Sequence, residues 1–426
     1  MIFRVEPASF LKGTVNLPGS KSYSIRAFLI ASCGGHSLIK NPSDCDDALV
    51  AMRIAKDLGA QIIPLKKNGW KFFASNFKKT FLKTKTINVK ESGTVLRFLL
   101  PLAALKGQPL VITGEGTLKG RPNHFLTQTL RQMGVHIEGQ GSRESVPIHF
   151  KGGHLKGGRV TIDGSLSSQF ISALLIMCPQ LDEDTRLILK GQEIVSSDYV
   201  TMTLQILKKA GVVVRQKTAR EYVIKGRQKF KGLKNFNVPS DYGLAAFLMA
   251  GGALVKSDVT LRGYLKDDLI QADGAVLGFF KKMGVRFVKT SAFIKIKGPF
   301  EFRGGIFSLK NCPDLVPIMA VLALFAKGKT HLIDIEHARA KESDRISDLR
   351  HELLKIGADI KETSNGLVIN PQAHYKSNCF LDPHHDHRLA MAFAILGLKV
   401  GVRIKDMECT KKSYPRFVRD LKSIIK

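Results

Sequence analysis

The sequence is short of acid. Against 66 Lys and Arg stand only 36 Asp and Glu in 426 residues, a formal charge of +30. That deficit points to anionic partners: nucleic acid, a membrane surface or small acidic substrates. Cysteine is sparse as well. Cys33, Cys45, Cys178, Cys312, Cys379 and Cys409 are scattered, with no CxxC pair. Metal-ligand spacing is therefore absent, and free thiols in a reducing cytoplasm are expected. Long apolar runs are missing too. The longest, Leu315–Ala326, is too short to cross a bilayer and reads as a buried helix, and the opening MIFRVEPASF has no apolar signal core. No low-complexity linker interrupts the chain. Its 44% hydrophobic content is that of an ordinary globular protein, with length for two or three domains.

What the chain does have is a repeat. Six segments open on small or acidic residues and run into a compact apolar helix. Gly19, Gly93, Gly164, Asp241, Asp314 and Asp386 mark them at intervals of 71 to 77 residues. A second marker keeps step: a glycine closing a helix at Gly59, Gly134, Gly211, Gly284 and Gly357, at intervals of 73 to 77. Glycine there fits a left-handed helix C-cap leading into a strand. Two markers in step indicate repeated supersecondary units, each strand, helix, strand, helix, strands, and hence an α/β class. The pattern alone leaves open one closed ring of six or two groups of three.

The chemistry gathers at the helix starts. In Pro18–Arg26, three serines, Lys21 and Arg26 precede an apolar run. A helix start offers unpaired N–H groups and partial positive charge to an anion. Lysine adds a point charge for phosphate, and arginine a fork for carboxylate. The equivalent positions differ from unit to unit, as expected if several starts serve one pocket. They are Ser92, Gly93, Thr94 and Arg97, with Arg121 further on; Ser167, Ser168 and Gln169; Asp314, then Lys341-Glu342-Ser343-Asp344-Arg345; and Asp386-His387-Arg388, then Cys409 to Lys412. KESDR reads either as a solvated helix start with local charge pairs or as two anion-binding bases beside a proton carrier. His384 to His387 (HHDH) could form a metal site, but ligands this close in sequence rarely all point at one ion, and a structural loop with one working histidine is expected. The basic stretch Lys66–Lys85, with Trp70, Phe72, Phe73, Phe77 and Phe81, is read as a strand pair with one apolar face rather than a nucleic-acid surface. Gly152–Gly158 reads as a loop between strands.

Taken in order, PGSKSYSIR, ESGTVLRFL, GRP, DGSLSSQF, PDLVP, AKESDRI, DHRLAMAFA and CTKKSYP resemble the 3-phosphoshikimate 1-carboxyvinyltransferase (5-enolpyruvylshikimate-3-phosphate synthase) family, from residue 5 to about 420. The resemblance implies the enolpyruvyl transferase fold: two similar domains of three βαβαββ-type units, with the active site in the interdomain cleft. Because the family's first strand crosses over, the domains would be 17–237, and 1–16 joined with 238–426. The implied reaction transfers the enolpyruvyl group of phosphoenolpyruvate to the 5-hydroxyl of shikimate 3-phosphate, releasing phosphate.

Matched motif by motif, Lys21, Ser22, Arg26, Ser167, Ser168, Gln169, Ser196, Tyr199, Asp314 and Lys341 would hold shikimate 3-phosphate. Lys21, Gly93, Thr94, Arg121, Gln169, Arg345, Arg388 and Lys412 would hold phosphoenolpyruvate. Asp314 would be the base for the 5-hydroxyl, and Glu342 or Lys21 the acid for the methylene carbon. The family implies no cofactor and no metal. A cytoplasmic monomer is expected, without nucleic-acid or membrane partners, with glyphosate a candidate competitor. Ile25, Glu91-Ser92 and His337 depart from residues common in the family, which bears on glyphosate sensitivity. The sister family, which transfers enolpyruvate to a UDP-amino sugar, is similar in fold but carries a reactive cysteine in a loop. The corresponding loop here, GEGTLKGRP, has none.

Overall fold

The computed structural model describes residues 2–75, 77 and 84–426; Phe81 of the basic stretch lies outside the described residues. Among the described residues the helices are α1 (Lys21–Ser32), α2 (Asp46–Asp57), α3 (Gly93–Ala104), α4 (His124–Gln132), α5 (Ser168–Met177), α6 (Ser197–Lys209), α7 (Tyr242–Leu254), α8 (Val276–Lys282), α9 (Val316–Ala323), α10 (Ser347–Lys355), α11 (His387–Val400) and α12 (Phe417–Ile424). Odd and even helices differ in kind. The odd ones are mostly apolar and almost wholly buried: every residue of α7 and α9, and all but Lys399 of α11. A helix with no polar face must sit inside. The even ones are amphipathic. α12, for example, turns Phe417, Leu421 and Ile424 inward at helical spacing. Helices α2, α4, α6, α8 and α10 are each followed by a marker glycine at positive φ: Gly59 (104°), Gly134 (103°), Gly211 (80°), Gly284 (92°) and Gly357 (83°). Any other side chain would be strained there.

Among the described residues the strands form six small sheets, five of four strands and one of three. In the regular repeat the first strand lies parallel to the second, and the last two return antiparallel. Thr86–Asn88 runs beside Leu110–Thr113, then Ser145–Gly153 and Val135–Gln140. The same order recurs from Gly158–Asp163 and from Phe302–Ser308.

Two repeats exchange their first strands. Leu11–Asn16 precedes α1, yet it pairs in parallel with Ser257–Arg262 after α7. Its place beside Gly35–Lys40 is taken by Phe236–Asn237. Ile2–Val5 closes the three-stranded sheet against Val402–Lys405. Leu11–Asn16 buries Leu11 and Val15 and exposes Lys12 and Asn16, a pattern that any of the repeat sheets accepts.

The chain divides into two compact units. One comprises Met1–Gly19, Asp44–Asp46 and Pro239–Lys426; the other comprises Ser20–Ser43 and Asp47–Val238. Within the first, α7, α9 and α11 pack together; within the second, α3 packs against α1 and α5. Each fully buried Leu, Ile or Phe on these helices adds about 2 kcal/mol of burial free energy.

In the basic stretch, Gln61–Pro64 and Gly69–Ala74 form a strand pair. Phe72 is buried and stacks on Phe28 at 5.4 Å, and Phe77 is buried too. Between Ser145–Gly153 and Gly158–Asp163, residues 154–157 form the loop. The six cysteines are free, and burial pushes the thiols of Cys33 and Cys178 up to about 12, so both are unreactive. Among the described residues no helix is long and apolar enough to cross a membrane.

Candidate active site

In the unit that carries Asp314, the core helices begin at aspartates. Asp241 and Asp386 cap α7 and α11, accepting from the Leu244 and Arg388 amides, and Asp314 lies in the turn leading into α9. Carboxylates at helix starts are favourable in themselves. Here they also draw in guanidinium groups. Arg345 is 1% exposed and touches three acids: Asp314 Oδ1 at 2.7 Å, Asp386 Oδ2 at 2.7 Å and Glu342 Oε2 at 3.1 Å. Burial alone would lower its pKa. The charges of Asp386, Asp314 and Glu342 outweigh burial and hold the guanidinium well above its ordinary value. Arg388 donates to Asp314 Oδ2 at 3.0 Å and to the Gly243 carbonyl at 2.8 Å, with Asp273 3.9 Å away. Burial again opposes, and Asp314, Asp273 and Asp241 again raise its pKa.

Asp314 is thus gripped at both oxygens, one by each arginine. Lys412 lies 3.8 Å from Glu342 Oε1, and both side chains are nearly buried. Among the described residues the Lys412 ammonium and Arg388 Nε have no acceptor at hydrogen-bonding distance. Such buried donors are costly unless a bound anion supplies the acceptor. Lys341 follows the short turn Glu336–Ala340 that carries the buried His337. Burial, and next the charge of Lys341, lower the His337 pKa to about 3, so its imidazole is neutral. KESDR is therefore no solvated helix start throughout: Asp344 caps α10 through the Ile346 and Ser347 amides, while Arg345 is buried.

The four histidine-loop residues go separate ways. His384 meets Glu352, His385 meets Asp406, Asp386 holds Arg345, and His387 is buried.

The second unit has its own set. Its core helices begin at serines: Ser20, Ser92 and Ser167 are the N-caps, and only Ser167 uses its side chain as a cap, toward the Gln169 amide. Each of these buried helices leaves one residue open. That residue is Ser22 in α1, Thr94 in α3 and Gln169 in α5, each at the second position. Gln169 donates to the Thr94 hydroxyl at 3.0 Å and accepts from Arg97 at 2.7 Å. Ser168 is buried, and Ser196, also buried, takes a left-handed backbone at the start of α6.

Arg121 lies against Gly93: a methyl group on Gly93 would come 2.6 Å from Arg121 Nη1. Lys21 pairs with Asp47 at 3.0 Å. Arg26 is 1% exposed, and all three of its nitrogens donate within the protein, to Thr203 Oγ1 and the Ser22 and Tyr199 carbonyls. Desolvation lowers its pKa to about 10.

Several partners were not singled out from sequence. Asp47 reads as an ordinary acid in the first turn of α2. Asp273 and Thr203 lie in segments without any motif. Asp386 was noted, but its grip on Arg345, 41 residues back along the chain, has no local signature.

The repeat architecture is that of the enolpyruvyl transferases. The enolpyruvyl transferase NikO from Streptomyces tendae superposes with a TM-score of 0.77 over 99% of this chain and 97% of its own, at 18% identity, a likeness of fold alone. An EPSP synthase structure from Acinetobacter baumannii gives 0.79 at 25% identity, over 99% and 98%. The family model for EPSP synthase (3-phosphoshikimate 1-carboxyvinyltransferase) matches residues 5–421. Proteins named 3-phosphoshikimate 1-carboxyvinyltransferase are 35% identical in Methanococcus vannielii, covering 99% of this chain and 98% of that protein, and 36% identical in Clostridium perfringens, covering 98% and 96%. The chain belongs to the EPSP synthase family.

Proposed function

We propose that the protein transfers the carboxyvinyl group of phosphoenolpyruvate to the 5-hydroxyl of shikimate 3-phosphate, releasing phosphate, in the shikimate route to aromatic amino acids. The observation that carries this is the family match over residues 5–421, which spans both units. The chemistry of the side chains agrees. Two substrates, each with a phosphate and a carboxylate, bring about six negative charges, and converging lysines and arginines offset such charge.

In this reading Arg121, Arg345, Arg388 and Lys412 hold phosphoenolpyruvate with Lys21, Gly93, Thr94 and Gln169. Ser22, Arg26, Ser167, Ser168, Ser196, Tyr199 and Lys341 hold shikimate 3-phosphate. Asp314 takes the proton of the 5-hydroxyl as that oxygen adds to the enol carbon. Glu342 or Lys21 protonates the methylene carbon. Loss of a proton from that carbon then expels phosphate and restores the double bond. Two arginines, one on each oxygen, orient the Asp314 carboxylate.

The two units serve as the two domains of this fold. A cytoplasmic monomer open to competition by glyphosate completes the reading. A phosphate-release assay tests the function: release should require both phosphoenolpyruvate and shikimate 3-phosphate. No release with both present overturns it.

A further inference from the structure

Outside the residues assigned above, Glu352 on α10 and Asp386 are the two carboxylates among the described residues that are 0% exposed. A carboxylate is rarely buried so fully unless its lone pairs are taken. Here they are: Glu352 accepts from Lys355 Nζ at 2.7 Å, from the Asp382 amide at 2.8 Å, and faces His384 Nε2 at 3.2 Å. Two of these three partners belong to the loop between the strand Cys379–Leu381 and α11.

That loop needs holding. His384 and His385 have positive φ, 50° and 58°. Two consecutive non-glycine residues in that region are strained and persist only when their surroundings impose them. The surroundings do so. The Asp382 carboxylate accepts from the His384 amide at 2.9 Å and from Lys405 at 2.8 Å, His385 meets Asp406 at 2.6 Å, and the Asp386 amide donates to the Pro383 carbonyl. The next residue after the strained pair is Asp386, which is 0% exposed, caps α11 and binds Arg345 through both of its oxygens, at 2.7 and 3.3 Å.

We propose that Glu352 is a positioning residue: by clamping the strained loop Asp382–His385 from behind, it sets Asp386 and through it the Arg345 guanidinium that receives phosphoenolpyruvate. The inference rests on the function proposed above. It goes beyond it in placing a determinant of phosphoenolpyruvate affinity on a helix that none of the predicted site residues occupies.

The test is Glu352→Gln, with His384→Phe as a second variant that keeps the carboxylate but removes its ring partner. KM for each substrate and kcat are measured separately. Glu352→Gln keeps the volume but gives up the charge that holds Lys355 and the loop. It should raise KM for phosphoenolpyruvate roughly tenfold or more, as for a lost charge-assisted hydrogen bond. KM for shikimate 3-phosphate should stay within a factor of two or so, and Glu352→Asp should restore part of the loss. His384→Phe should raise the same KM by a smaller factor. A purely structural role would lower the folded, active fraction and so kcat, with both KM values unmoved; that result, or an equal rise in both KM values, overturns the proposal. An inactive wild-type enzyme would instead overturn the function on which it rests.

Discussion

Arg345 and Asp314 meet at 2.7 Å, and the opposite oxygen of Asp314 is taken by Arg388 at 3.0 Å. The carboxylate is therefore oriented by two buried cations, while the cations are neutralised by Asp314, Asp386, Glu342 and Asp273. No member of this cluster is free to move alone.

Asp314→Ala removes the proposed base. Loss of a general base costs typically 10²–10⁴-fold in rate. We expect kcat to fall by about that factor, while binding of both substrates, followed by equilibrium dialysis, remains measurable. Turnover within a few-fold of wild type would remove Asp314 from the role.

Gly93→Ala should act through Arg121. The added methyl group falls 2.6 Å from Nη1 and 2.9 Å from Cζ of that side chain, so the guanidinium must shift. KM for phosphoenolpyruvate should rise several-fold, and apparent affinity for glyphosate should change with it. Melting temperature should change little, since the far end of a flexible side chain is what gives way. An unchanged KM would show that Arg121 does not hold this substrate.

His337 predicts a pH dependence of stability. Burial, first, and the charge of Lys341, second, lower its pKa to about 3 in the folded protein. The unfolded chain takes up the same proton near pH 6.5. Between those values the unfolded state binds more protons, so this group's contribution falls as the pH drops below 6.5 and is level above it. At pH 5 the loss is about 2 kcal/mol relative to pH 8. Urea unfolding of wild type and His337→Asn should show the difference between them moving in the variant's favour by about that amount from pH 8 to pH 5. Parallel pH profiles would contradict this.

The excess of positive charge should show in kinetics. A charge of +30 attracts substrates that carry several negative charges, and salt screens that attraction, with a Debye length of ~10 Å at 0.1 M. The ratio kcat/KM should fall with added potassium chloride before kcat does. A flat response up to 0.3 M salt (about 6 Å screening) would exclude steering.

The sequence alone carried the periodic part of the molecule. Six apolar helices betray themselves because a helix with no polar face has nowhere to be but inside, and five helix ends because only glycine sits easily at their positive φ. Ser22, Thr94 and Gln169 were among the candidates because each stands near the start of an apolar run, but that they alone stay open while Lys21, Arg26, Arg97 and Ser168 beside them are buried was not legible.

Local sequence did not decide the rest. Every repeat sheet accepts the same alternating strand, so residues 11–16 do not themselves say that they pair with 257–262 rather than 35–40; only the family resemblance implied the crossing-over, and the tertiary structure gives its register. Likewise the partners that give the site its electrostatics, Asp47 for Lys21, Thr203 for Arg26, Asp386 and Glu352 for the loop behind Arg345, are ordinary polar residues in sequence. They become specific only when the fold removes water from around them, because a charge in solvent needs no particular partner and a buried one does.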